Sequence, residues 1–176
     1  MQGLKPVAMD HVDFITQQWG KERPDLDVTA MGVIGRVARL YLAYQREMHK
    51  TFAEFGLNAA KFDVLATLRR SGAPYTLSPG ELLKAAMVAS GTMTNRIDRL
   101  EADGLVKREV NPQDSRSFLV GLTEEGFALI DRAVTAHVQT QTRLLAGLSA
   151  AEAEALTGLL SKAQAAAEQS ETDHPG

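Results

Sequence analysis

Cysteine is absent from the chain, which excludes a disulfide framework and any thiolate metal site. No apolar run approaches the roughly 20 residues that a membrane-spanning helix needs, and Met1–Asp10 has neither the basic start nor the apolar stretch of a signal peptide. A cytoplasmic protein with no membrane partner is expected. Histidine is scarce: His11, His49, His137 and His174 are scattered without metal-ligand spacing. No metal and no cofactor is expected, and His49 and His137 read as helix-surface or interface residues. There is no Walker loop, and Gly32-Val33-Ile34-Gly35 lies inside a helical pattern instead of following a strand, so it is no dinucleotide fingerprint. Nothing brings a carboxylate pair into an obvious cleft, which leaves an enzyme with little support.

Charge of one sign is also missing in quantity, the net being −3 over 176 residues. Averaged over a surface, that argues weakly against nucleic-acid binding. Part of the acidity is local. Glu152, Glu154, Glu168, Glu171 and Asp173 outnumber Lys162 near the C-terminus, leaving a slight positive balance elsewhere. Placement of individual Arg and Lys residues must then carry any contact with phosphates.

What is present is enough hydrophobic sequence, 44%, for one domain over residues 1–176. A short amphipathic helix is expected at about 10–19, then a non-helical connector from Lys21 to Asp27 around Pro24. A long helix follows at about 31–55, with Ile34, Val37, Leu40, Tyr41, Leu42, Tyr44, Met48 and Phe52 at helical spacing. Asn58 is an N-cap for a helix to about Arg70, closed by Ser71-Gly72. Ser78-Pro79-Gly80-Glu81 is a capping box with Pro at the first helical position, opening a short helix to about Lys84. Ser90 caps the next, which runs through Met93, Ile97 and Leu100 to Gly104. Leu105–Val110 and Phe118–Leu122 are strand candidates around the turn Asn111-Pro112-Gln113-Asp114. Thr123 starts a long helix to about Leu148, Ser149-Ala150-Ala151-Glu152 caps a terminal one, and a polar, frayed tail is expected from Glu168.

The expected fold is therefore mainly α with a small β-hairpin: a winged helix-turn-helix at about 58–122, with a helical dimerisation region built from both termini, about 31–55 and 123–170. In that order of elements the second short helix enters the major groove. With Met93, Ile97 and Leu100 inward, Gly91, Thr92, Asn95 and Arg99 turn outward, a small polar face suited to base edges. Lys107, Arg108 and Arg116 lie on the hairpin, within reach of phosphates or a minor groove, while Asp114 either braces Arg116 or shapes the turn. The candidate DNA contacts are Thr92, Thr94, Asn95, Arg96, Arg99, Arg108 and Arg116. On the residues alone, the hairpin charges read equally well as a solvated rim, and the long helices as a module that binds another protein. A C2 homodimer on an inverted-repeat operator accounts for those helices more economically, since it sets two recognition helices at a fixed separation.

Residues 90–106, from Ser90-Gly91-Thr92 to Gly104-Leu105-Val106, then Asp114-Ser115-Arg116 and Leu122-Thr123-Glu124-Glu125-Gly126, resemble the recognition helix, wing and following helix of the MarR family. Many members carry Asp-Arg-Arg where this chain has Asp114-Ser115-Arg116, so one wing arginine is missing. Trp19-Gly20-Lys21-Glu22-Arg23-Pro24-Asp25-Leu26-Asp27, with Met31-Gly32-Val33-Ile34-Gly35-Arg36, is similar to the urate-responsive PecS/UrtR branch. The resemblance implies a DNA-binding regulator, a repressor released by urate or a related purine or organic anion, with effector-binding residues at Trp19, Asp63, Arg70 and Arg96. A MarR-type regulator without a urate response is the alternative. Asp63 and Arg70 stand seven apart on one helix face with Thr67 between them, a polar stripe on an otherwise apolar element. By themselves, Trp19 reads as a packing anchor, and Asp63 with Arg70 as a structural ion pair.

Overall fold

The computed structural model describes residues 9–87 and 93–173. The chain divides into two compact units, residues 1–50 and 51–176.

In the first unit, helix α1 (His11–Glu22) starts on a reciprocal cap. The Asp10 carboxylate accepts the N–H groups of Val12 at 2.7 Å and Asp13 at 2.9 Å, and the Asp13 carboxylate accepts the Asp10 N–H at 3.0 Å. Donors that a helix start leaves orphaned are thereby satisfied. Helix α2 (Thr29–Ala53) crosses α1 at Gly35, where a Cβ would stand 3.2 Å from the Val12 side chain. Arg36, the next residue, donates to Asp10 at 3.0 Å and to Asp13 at 2.5 Å, so the carboxylates that cap α1 also bind it to α2. The Asp10 N–H first, and the Arg36 guanidinium second, hold the Asp13 carboxyl below the usual carboxylate range. The sequence reading ended α1 too early. Gly20, Lys21 and Glu22 continue the helix, and it stops at Arg23, the residue before Pro24, where helical geometry clashes with the proline ring.

The second unit begins with the end of α2, where Gly56 at φ 66° lets the Leu57 N–H return to the Phe52 carbonyl at 2.9 Å. Helix α3 (Ala59–Arg70) is capped by the Asn58 side chain, and α4 (Pro79–Ala85) by the Ser78/Glu81 box. Helix α5 (Met93–Ala102) follows; its expected cap at Ser90 falls outside the described residues. Three antiparallel strands stand in the order β1-β3-β2: β1 (Thr76–Leu77), β2 (Val106–Asn111) and β3 (Asp114–Leu122). The hairpin turns at Asn111-Pro112-Gln113-Asp114 as expected, with Asn111 pairing Asp114 across Pro112-Gln113, but β3 starts at Asp114, four residues before the expected Phe118. Helix α6 (Glu124–Leu144) ends four residues before the expected Leu148, and α7 (Ala150–Asp173) starts on the Ser149/Glu152 box. The tail expected to fray from Glu168 is helical to Asp173.

The core of this unit is apolar. Val64, Leu65 and Leu68 of α3, Leu82 of α4, Ile97 and Leu100 of α5, Val120 of β3 and Ile130 of α6 are all 0% exposed. Each such side chain contributes roughly 1.5–3 kcal/mol by leaving water. The first turn of α6 presses on the loop after α5: a Cβ on Gly126 would lie 1.9 Å from the Leu105 carbonyl oxygen, so only glycine fits. The Thr123 hydroxyl accepts the Gly126 N–H at 3.0 Å and donates to the Gly104 carbonyl at 2.7 Å. His137, expected at a helix surface or an interface, is half-buried. Its ring packs at 5.6 Å from Phe52 and 4.8 Å from Phe62, and its Nδ1 is buried with no hydrogen-bond partner among the described residues. Burial lowers its pKa.

Candidate nucleic-acid interface

Helix α5 turns its apolar side inward, with Met93 7%, Ile97 0% and Leu100 0% exposed. Thr94, Asn95 and Arg99 are exposed on the opposite side, as the helical spacing predicts. Thr92 lies outside the described residues. Arg96 departs from the expectation of a DNA contact: at 8% exposure it belongs to the buried side of α5. Its position, one residue before Ile97 and three after Met93, puts it on the inward flank of the helix.

On the hairpin, Arg116 is exposed and its N–H donates to the Asp114 side chain at 3.0 Å, so Asp114 shapes the turn through the backbone. Among the described residues the Arg99 and Arg116 side chains make no ion pair. Both remain available to phosphates or bases. Lys107 pairs with Glu109 at 2.7 Å. Arg108 also departs from the expectation: its guanidinium donates to both Asp98 and Glu101 of α5 and lies 5.0 Å over the Phe118 ring. Two of its five N–H donors are thereby committed to carboxylates and one face of the guanidinium to the ring. The sequence held a sign of this, since Asp98 and Glu101 are i, i+3 and share one flank of α5.

Of the expected effector residues, Asp63, Arg70 and Arg96 lie in the second unit and Trp19 in the first, on α1, 42% exposed. Asp63 is buried, 7% exposed, and its Oδ1 accepts the Met87 N–H at 3.2 Å. Arg70 is exposed, and its Nη2 donates to the Ala85 carbonyl. Thr67, between them, donates to the Asp63 carbonyl at 2.7 Å, within its own helix. The polar stripe of α3 thus grips the backbone at Ala85, the last residue of α4, and at Met87, just beyond it on the way to α5. Sequence reasoning found the stripe and missed what it holds, because a backbone partner leaves no trace in residue identity.

The family model described as MarR family matches residues 55–117. The HTH-type transcriptional regulator PecS of Dickeya dadantii is 45% identical over 153 residues, 87% of this chain and 92% of that protein. Among solved structures, Bordetella bronchiseptica BpsR, whose DNA binding is regulated by 6-hydroxynicotinic acid, aligns with a TM-score of 0.65 at 32% identity, covering 75% of this chain and 92% of that one. A mutant of E. coli MarR complexed with operator DNA aligns with a TM-score of 0.65 at 28% identity, over 82% of this chain and 96% of that one.

Proposed function

Because the chain belongs to the MarR family of DNA-binding transcriptional regulators, on its PecS branch, and is not an enzyme, we propose that it is a cytoplasmic homodimeric repressor. In this reading urate, or a related purine or organic anion, releases it from an inverted-repeat operator. Thr94, Asn95 and Arg99 read base edges, and Arg116 contacts the DNA from the wing, with Thr92 added on the resemblance alone.

The observation that carries the effector reading is the grip of α3 on the segment between α4 and α5. An anion drawn to the exposed Arg70 competes with the Ala85 carbonyl for the guanidinium, and its charge repels the Asp63 carboxylate from the Met87 N–H. Either event loosens the backbone that leads into α5 and shifts the population of its positions. Arg96, buried on the inward flank of α5, is the cation on the recognition helix that an anion in this region would attract. Trp19 enters as an aromatic platform on the strength of the resemblance.

A homodimer gives the exposed apolar residues of α2 and α7 a partner. Val33 and Ile34 of α2 are 59% and 66% exposed, and Leu159 and Leu160 of α7 are 67% and 41% exposed. Apolar surface of this extent is ordinarily covered by another chain.

Fluorescence anisotropy of a duplex from the DNA upstream of the gene tests the whole reading, with titration of protein and then of urate, xanthine and 6-hydroxynicotinic acid at stated salt. Tight binding relative to a scrambled duplex, released by one of these anions and no longer released in Arg70→Ala, is the expected result. Binding that none of them alters overturns the effector assignment and leaves a regulator without this response.

A further inference from the structure

We propose that Arg108 is a positioning residue for DNA binding: it sets the recognition helix α5 against the wing and offsets part of the charge of two carboxylates beside the DNA-facing surface. This rests on the assignment of α5 and the hairpin as the elements that meet DNA.

Arg108 stands mid-strand in β2, directly opposite Val120 of β3. Its guanidinium covers the ring of Phe118, two residues from Val120 and therefore on the same face of the sheet. From there it forks to α5, with Nη1 on Glu101 and Nη2 on Asp98. One side chain thus touches both wing strands and two successive turns of the recognition helix. Rotation or sliding of α5 against the hairpin breaks at least one of these contacts.

The electrostatic part is independent of the mechanical one. The Asp98 and Glu101 side chains are 55% and 38% exposed, and Asp98 immediately precedes Arg99. Two bare carboxylates on a helix that approaches phosphates would repel the DNA, and a shared guanidinium cancels half of that charge. Arg108 is committed, whereas Arg99 and Arg116 make no ion pair among the described residues. Lysine cannot substitute here. Its point charge lacks the planar fork for two carboxylates and stacks less well on the ring.

The test is a mutant cycle on the full chain, using a duplex that the wild-type protein selects from a random pool. Arg108→Gln and Arg108→Lys should each weaken operator binding by about tenfold, while in an Asp98→Asn/Glu101→Gln background Arg108→Gln should cost less than about twofold. Equal cost in both backgrounds, or near wild-type affinity in Arg108→Lys, makes Arg108 a phosphate contact and overturns the proposal. Thermal unfolding of the same variants is read alongside. The strut demands that Arg108→Gln lower the melting temperature in the parent and not in the doubly neutralised background, and additive shifts overturn it. If the pool yields no selected duplex, the DNA-binding assignment fails instead, and the unfolding cycle still decides whether the strut exists.

Discussion

The two units of the chain are held together by different forces. In residues 51–176 eight or more side chains from helices and sheet are wholly removed from water. In the first unit the only buried apolar side chains among the described residues are Val12 and Met48, while Val33, Ile34, Val37, Leu40 and Leu42 are between 42% and 66% exposed. The clasp there is ionic, Asp10 and Asp13 on Arg36, at side-chain exposures of 38% to 46%. Salt screens such pairs, and their individual worth is small. The lesson is that the DNA-binding unit has a dry apolar core of its own, whereas α1 and α2 are clasped by local charge and leave apolar side chains exposed.

That contrast can be broken hardest at Gly126. Gly126→Ala drives a methyl group into the Leu105 carbonyl oxygen and should cost about 3 kcal/mol, the upper range for overpacking. Gly158→Ala, in α7 with open space around it, should instead be neutral or stabilising by up to roughly 1 kcal/mol. Chemical denaturation of both variants decides, and equal stabilities would show that the close approach is not rigid. Next in size, Arg36→Ala should abolish hydrogen-exchange protection across α1 and shift the main unfolding transition little. A large fall in that transition would mean the two units do not differ in the way described.

The smallest effect concerns pH. Burial beside Phe52 and Phe62 holds the His137 pKa below the ordinary 6.5, so below that pH the unfolded chain takes up a proton that the folded one resists. Stability should therefore fall as pH drops through about 6.5 and be insensitive to this group above it. His137→Leu should flatten that part of the profile. A wild-type melting temperature that matches the His137→Leu slope between about pH 7 and 5 would remove the argument.

Local signals in the sequence were the dependable ones. Asn58, Ser78, Thr123 and Ser149 each cap the helix expected of them, because capping is chemistry between residues two or three apart. The inward set Met93, Ile97 and Leu100 follows from spacing alone. Strand β1 went unseen, since two residues give no alternation and its pairing with Val120 and Gly121 is made more than forty positions away. The functions of Arg108, Asp63 and Arg70 were legible as residue types and not as partners. An arginine that contacts DNA and one that braces a helix look alike in sequence, and only the tertiary position of Asp98 and Glu101 separates them.

The Thr123 hydroxyl takes part in two elements at once, closing the exit from α5 through the Gly104 carbonyl and opening α6 through the Gly126 N–H. With Gly126 seated on Leu105, the C-terminal end of α5 is riveted to α6. In the effector response proposed above, any displacement of α5 would be greatest at its N-terminal turn, away from the end held by α6 and by the Arg108 fork, and the backbone at Ala85 and Met87, bound by Arg70 and Asp63, is where it would be limited.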